Sequence, residues 1–230
     1  MPNHVKNILR FDGNGVDVFS FLDKISEDGK EIGMIDFNKV IPMPESLKLE
    51  SGSNTQLSIE AVLKALEHDS CYWTSKKFSS TSDADFSIRV EHSGKSKQEL
   101  LDLGLQYIAN KVHYGHTTWY GWCCEHWGTK WNAYDRSCEG KEISFHTAWS
   151  APHPVIEKIA EMFPDVSIVH KWADEDIGSN CGYRMYVGGK LIEQYFPVDN
   201  REAIEFACGL WGYDADEYID ELLAEGNEVS

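Results

Sequence analysis

No stretch of this chain is apolar for the roughly 18 to 20 residues that a membrane-spanning helix needs, so no membrane partner is expected. Cysteine is sparse. Six thiols, Cys71, Cys123, Cys124, Cys138, Cys181 and Cys208, are spread through 230 residues. They are too few and too irregularly spaced for a disulfide framework, which points to reduced thiols and a cytoplasmic setting. Met1-Pro2-Asn3-His4 runs directly into an alternating pattern and not into a signal-peptide core. Basic residues are also scarce: 21 Lys and Arg against 38 Asp and Glu leave a net charge of −17. About half of that excess lies between Asp199 and Ser230, where ten acidic residues face Arg201 alone. Such a balance repels phosphate backbones, so direct nucleic-acid binding is disfavoured. No internal repeat is apparent, and no complete catalytic or metal-binding signature can be read.

What the chain does contain is a pattern of alternating and helical segments. Residues 4–11 alternate, with Val5, Leu9 and Phe11 on one face and Lys6 and Arg10 on the other, as in a half-buried strand. Val18, Phe19, Leu22 and Ile25 follow at helical spacing, stopped by Asp28-Gly29. The prolines Pro42 and Pro44 suggest that Ile35 to Pro44 is extended. From Glu45 to about Gly140 the pattern is mostly helical. Leu57 to Leu66 forms one amphipathic stretch, and Leu101, Leu105, Ile108 and Val112 mark a longer one. Lys76 to Asp85 reads as a loop and Phe86 to Val90 as a short strand. Alternation returns at Ile143 to Trp149. A helix starting at the prolines Pro152 and Pro154 runs through Phe163, and strands follow at Val166 to Trp172 and Tyr183 to Val187. Gly188-Gly189 reads as a hairpin turn into Leu191 to Phe196. Asp199 with Glu202, and Asp214 with Glu217, open two C-terminal helices as acidic caps.

These elements predict one elaborated α+β domain, an antiparallel sheet layered with helices in the manner of a ferredoxin-like sandwich. Its sheet core would use residues 1–44 and 141–198, with a helical insertion at 45–140 and acidic helices at 199–230.

Chemistry is concentrated between Tyr120 and Asp135, which holds three tryptophans, and four of the eight lie from Trp119 to Trp131. Zinc could recruit Cys123, Cys124 and His126 with His113, His116 or Cys138, but adjacent cysteines are not a chelating spacing and no metal is expected. A nucleophilic Cys123 or Cys124 lacks a recognisable partner signature. Asp174 to Asn180 superficially resembles a calcium loop, yet Ser179 and Met185 stand where glycine and glutamate are required. No cofactor is expected.

Five segments give the chain a family likeness. They are M-P-N-H-V-K-N at the start, F-N-K-V-I-P-M-P at Phe37 to Pro44, W-G-T-K-W-N-A-Y-D at Trp127 to Asp135, F-H-T-A-W-S-A-P at Phe145 to Pro152, and A-D-E-D-I-G-S-N-C-G at Ala173 to Gly182. Through them the chain resembles the YubB-like family of proteins with a ferredoxin-like domain, carried by bacteriophages, plasmids and integrative elements. The resemblance implies a ferredoxin-like fold with a helical insertion and a place in the cytoplasm of a bacterial host cell. It carries over no activity, cofactor or catalytic residue.

Two functional readings follow. The first is a non-enzymatic protein-binding module that occupies a host or rival protein, one that handles nucleic acid. Its contact residues would be Trp127, Lys130, Trp131, Asn132 and Tyr134, with the acidic C-terminal helices adding charge, because interface centres favour tryptophan and tyrosine. The second is a small enzyme or nucleotide-binding domain with a pocket where Trp127 to Asp135 meets Trp149, Asp174 and Asp176.

Overall fold

The computed structural model describes residues 2–69 and 82–224. Its first strand, β1 (His4–Asp12), buries Val5, Asn7, Leu9 and Phe11 and turns His4, Lys6, Ile8 and Arg10 to the other face, as the two-residue period requires. Helix α1 (Gly15–Ile25) starts where the Asn14 side chain accepts hydrogen bonds from the Val16 and Asp17 amides. It buries Phe21 and Ile25, while Phe19, which the sequence stripe had included, is 60% exposed. Ring packing decides that rotation: Phe21 lies 5.1 Å from Phe11 and 5.4 Å from Phe163.

The segment Ile35 to Pro44 is not wholly extended as expected. Asp36 accepts a hydrogen bond from the Asn38 amide and caps a short helix, α2 (Phe37–Val40), which ends before the first proline.

Chain contacts divide the molecule into two compact units, Met1–Pro42 with Cys123–Ser230, and Met43–Trp122. The second unit contains a 3-10 turn (Glu45–Leu47), α3 (Ser53–Asp69), α4 (Asp83–His92) and α5 (Lys97–Tyr114), and α6 (Trp119–His126) leads the chain out of it. Phe86 to Val90, expected as a strand, lies in α4, where the Ser82 hydroxyl caps the Asp85 amide; a short apolar run does not distinguish the two periods. Lys76 to Thr81 of the expected loop lies outside the described residues.

Helix α5 is present, but its buried face is Leu100, Gly104, Tyr107 and Asn110. Leu105 and Val112 of the expected stripe are 57% and 76% exposed. Close packing against α3 explains the difference. A Cβ on Gly104 would lie 2.1 Å from the Ser58 carbonyl oxygen, so only glycine fits. Tyr107 donates to the Glu50 carbonyl and Asn110 to those of Ser46 and Thr117, anchors that a count of aliphatic residues does not see.

In the first unit the chain continues through β2 (Tyr134–Glu139), β3 (Glu142–Ala148), α7 (His153–Met162), β4 (Ser167–Asp174), β5 (Gly182–Val187), β6 (Lys190–Tyr195), α8 (Asn200–Trp211) and α9 (Ala215–Ala224). The six strands form one sheet in the order β2-β3-β1-β4-β5-β6, every neighbouring pair antiparallel. Strand β2 has no counterpart in the sequence pattern, and it completes the topology. With it, β1-α1-β2-β3-α7-β4 is a β-α-β-β-α-β unit whose strands lie in the order β4-β1-β3-β2, which is the ferredoxin-like sandwich. The β5–β6 hairpin extends the β4 edge through Gly188 (φ 61°) and Gly189 (φ 74°), the two positive-φ positions that such a turn needs.

One sheet face packs on the helices through Leu9, Phe11, Ile143, Phe145, Ile168 and Trp172, with Ile156, Ile159 and Phe21 opposite. Each such side chain contributes about 1.5–3 kcal/mol by leaving water. The other face is covered in part by α8, whose Ala203, Ala207 and Leu210 pack with Ala173, Cys181 and Ile8. Asp199 caps α8 and Asp214 caps α9, as expected.

The main core also contains polar groups. The Asn7 amide donates to the Val5 carbonyl and the Thr147 hydroxyl, and its oxygen accepts from His170 Nε2, each at 2.9 Å. That bond makes His170 the Nε2–H tautomer, and its Nδ1 is buried without a partner. Burial, with His153 and Arg184 nearby, holds His170 well below the usual histidine range. Burial and Arg184 depress His153 to about 4.

Both histidines therefore fold as neutral rings. An unfolded histidine, at the ordinary value of 6.5, takes up protons first as pH falls. The stabilisation is complete above that value and is lost downward through it, with His153 alone accounting for on the order of 2 kcal/mol once its partial exposure is allowed for. Urea midpoints should be flat from pH 8 to about 7 and drop between about 6.5 and 4. His153→Gln should make that drop shallower.

Candidate functional site

The tryptophan-rich segment is held by its own side chains. After α6 the chain turns through Gly128, and the Thr129 hydroxyl both donates to the Ala148 carbonyl and accepts from the Ala148 amide. Trp127 is 2% exposed; its indole N–H donates to the Ile41 carbonyl at 2.9 Å and its ring meets Phe37 edge-on. Asn132 accepts from the Phe37 amide and donates to Asp36. Trp127 and Asn132 thus bolt the segment to α2 and are not offered to a partner. Trp127→Ala should lower stability by about 3–5 kcal/mol as a large core ring is lost. Asn132→Ala should cost about 1–3 kcal/mol because the Phe37 N–H loses its acceptor. Chemical denaturation of each variant checks both values.

Lys130 and Trp131 are half-buried, and Trp149 beside them is exposed. The Lys130 ammonium lies 4.8 Å from the centre of the Trp131 ring and 4.5 Å from that of Trp149, a cation held against two indoles. Trp149 was expected within a strand, on the face shared by Ile143, Phe145 and Thr147. Instead it lies just past β3, is 43% exposed and adopts φ 75°, a left-handed conformation that a bulky residue keeps only when its surroundings fix it. Its amide donates to the Asn3 carbonyl, and its carbonyl accepts from Asn180.

Asp174 is buried, and its carboxylate accepts from the Asp176 amide and from Asn3. It shapes the loop that follows β4 and leaves Glu175 and Asp176 exposed.

Tyr134 and Asp135 open β2, with Asp135 at φ 48° in the register shift of that edge strand. Cross-strand pairing sets Tyr134 opposite His146, and His146 opposite Lys6 of β1. The Tyr134 hydroxyl is hydrogen-bonded to His4 Nδ1, and the Asp135 carboxylate lies 3.3 Å from His146 Nδ1. Burial first, then the Asp135 and Glu175 carboxylates, pushes the Tyr134 phenol up to about 12, so it stays protonated at neutral pH.

His4, Lys6 and Trp211 belong to this neighbourhood and were not among the residues selected from sequence. Lys6 was placed on the correct outward face of β1, but its opposition to His146 depends on a pairing across 140 residues that no local pattern encodes.

Cys123 and Cys124 are poor nucleophiles. Burial pushes Cys123 to about 12 and also raises Cys124, against the opposing pull of Lys130, so neither offers a thiolate at neutral pH. A shallow groove of about 530 Å³ at the far end of β1 is lined by Arg10, Asp12, Lys141, Glu142, Val169 and Met185 among others, and by none of the residues selected from sequence.

The strand order and the site define a ferredoxin-like α+β protein. Residues 126–214, from the end of α6 to the start of α9, match the family described as the ferredoxin-like domain in Api92-like protein. Among solved structures, the chain is similar to a protein Api92 from Yersinia pseudotuberculosis, at 12% identity and a TM-score of 0.43, over 86% of this chain and 98% of that one. A comparison with curated proteins finds no match. Among the described residues, no helix is long and apolar enough to cross a membrane.

Proposed function

We propose that this chain is a non-enzymatic protein-binding module; its likeness to the YubB-like family implies only the source, a phage, plasmid or other mobile element. It acts by occupying a host or rival protein that handles nucleic acid. The observation that carries the reading is the pairing of half-buried Trp131 and exposed Trp149 around the Lys130 ammonium. Indole faces of this kind supply much of the energy at interface centres.

Charge adds the second support. Asp135, Glu175 and Asp176 are exposed on the segments that flank the indoles, and the chain as a whole carries −17. A protein with a basic channel for nucleic acid presents the complementary potential. The neutral thiols of Cys123 and Cys124 remove the most direct covalent chemistry from the same segment.

The test is capture from bacterial lysate by immobilised wild-type protein and by a Lys130→Ala/Trp131→Ala double variant whose circular dichroism is unchanged. The wild type should retain a stoichiometric basic partner, more weakly as salt rises to about 0.5 M. The variant should bind it at least roughly tenfold less tightly, a loss of about 1.4 kcal/mol. Equal retention by both proteins, or no stoichiometric partner with either, would overturn the reading.

A further inference from the structure

We infer that His4, Lys6 and His146, with Trp211 beside them, form a separate site for a nucleoside monophosphate on the sheet face bordered by α8. The residues come from three places in the sequence and reach one patch through strand register. Lys6 and His146 are directly opposed across β1 and β3, and His4 lies two residues along the same face of β1. The His4 and His146 ring centres are 6.2 Å apart.

Each imidazole is fixed from behind. Tyr134 engages His4 at Nδ1, and Asp135 engages His146 at Nδ1. Among the described residues neither Nε2 atom has a hydrogen-bond partner, so two oriented nitrogens remain for a ligand. Back-side bonds of this type set which nitrogen carries the proton, and they leave the front nitrogen aimed by the sheet and not by a mobile side chain.

Lys6 is the unusual member. In a chain with 38 carboxylate residues, its ammonium makes no ion pair with any described residue and instead lies 5.7 Å from the centre of the Trp211 ring. The indole is anchored by its own N–H, which donates to the Asp174 carbonyl, and its ring centre is 5.4 Å from that of His146. The Lys6 ammonium, and an imidazole in its doubly protonated form, can donate to the oxygens of a phosphate monoester. A fixed indole alongside offers the stacking face for a base. Two carboxylates border the patch, and both are engaged: Asp135 with His146, and Glu175 with the His4 amide. They leave the site fewer surplus positive charges than a polyanion requires, which favours one small phosphate ester over a nucleic-acid strand.

The site is distinct from the indole pair at Lys130, and its test does not depend on a protein partner. Ring-nitrogen spectra of uniformly ¹⁵N-labelled protein would be recorded during titration with inorganic phosphate and, separately, with adenosine 5′-monophosphate. The His4 and His146 Nε2 signals should shift and saturate with both probes. The nucleotide should bind about tenfold more tightly than phosphate because of Trp211, a difference of about 1.4 kcal/mol. Lys6→Ala, which removes a half-buried side chain on the face away from Val5, Asn7 and Leu9, should weaken both probes at least roughly fivefold. His146→Gln serves as a second variant and should remove saturation while His4 still reports on the fold. Absence of shifts, equal affinity for the two probes, or unchanged binding in Lys6→Ala would each overturn the assignment.

Discussion

The structure depends on β1 being the interior strand of its sheet. Seven residues of this strand pair with β3 and eight with β4, so nearly every backbone group it owns is satisfied by chain lying 130 to 170 residues away. A buried strand missing either partner would leave a row of amides and carbonyls unpaired, each at a cost comparable to a lost hydrogen bond. Asn7 reinforces the arrangement from within, since it bonds to Thr147 on one neighbour and His170 on the other. A slip of one residue in either register would turn that amide to the wrong face and abandon both bonds. The central strand is thus keyed by a polar group as well as by its apolar ones.

The same strand builds the functional surface. Its inward residues make the core, and its outward residues His4 and Lys6 meet His146 and Tyr134 only because the pairing is fixed to the residue. Trp149 acquires its exposed, left-handed position immediately after β3 ends, held by Asn3 just before β1 begins. Core and surface are consequently two readings of one register, and a change that loosened β1 would disturb both.

This division explains what was legible from sequence. Alternation in residues 4–11, the caps at Asp199 and Asp214 and the glycine pair at Gly188-Gly189 are local signals, and the corresponding elements form as expected. The ferredoxin-like class was readable from them. Strand β2 was not, because Tyr134 to Glu139 is a polar edge strand with only a half-buried side, and its pairing with β3 supplies what its composition lacks. The face of α5 was misplaced because glycine and asparagine do the packing where leucine was counted. Among the residues selected for the site, Trp127 and Asn132 proved to be fastenings, while Trp149 is exposed and Lys130 and Trp131 are half-buried. Composition brings tryptophan to attention without saying which side of the backbone each ring will take.

The long span between β1 and its neighbours also has a consequence in time. During synthesis β1 leaves the ribosome before either of its neighbours, and its last hydrogen-bonding partner, Asp174, follows about 160 residues later. At roughly 5–20 residues per second that gap is on the order of ten to thirty seconds. Until β3 emerges about 130 residues after β1, an amphipathic strand carrying Val5, Leu9 and Phe11 has no sheet to join. The helices between Ser53 and Tyr114 pack against one another through near-sequence contacts and can order while the strand waits. The nascent chain therefore spends that interval half folded, with its future central strand open to chaperones or to any foreign sheet edge that reaches it first.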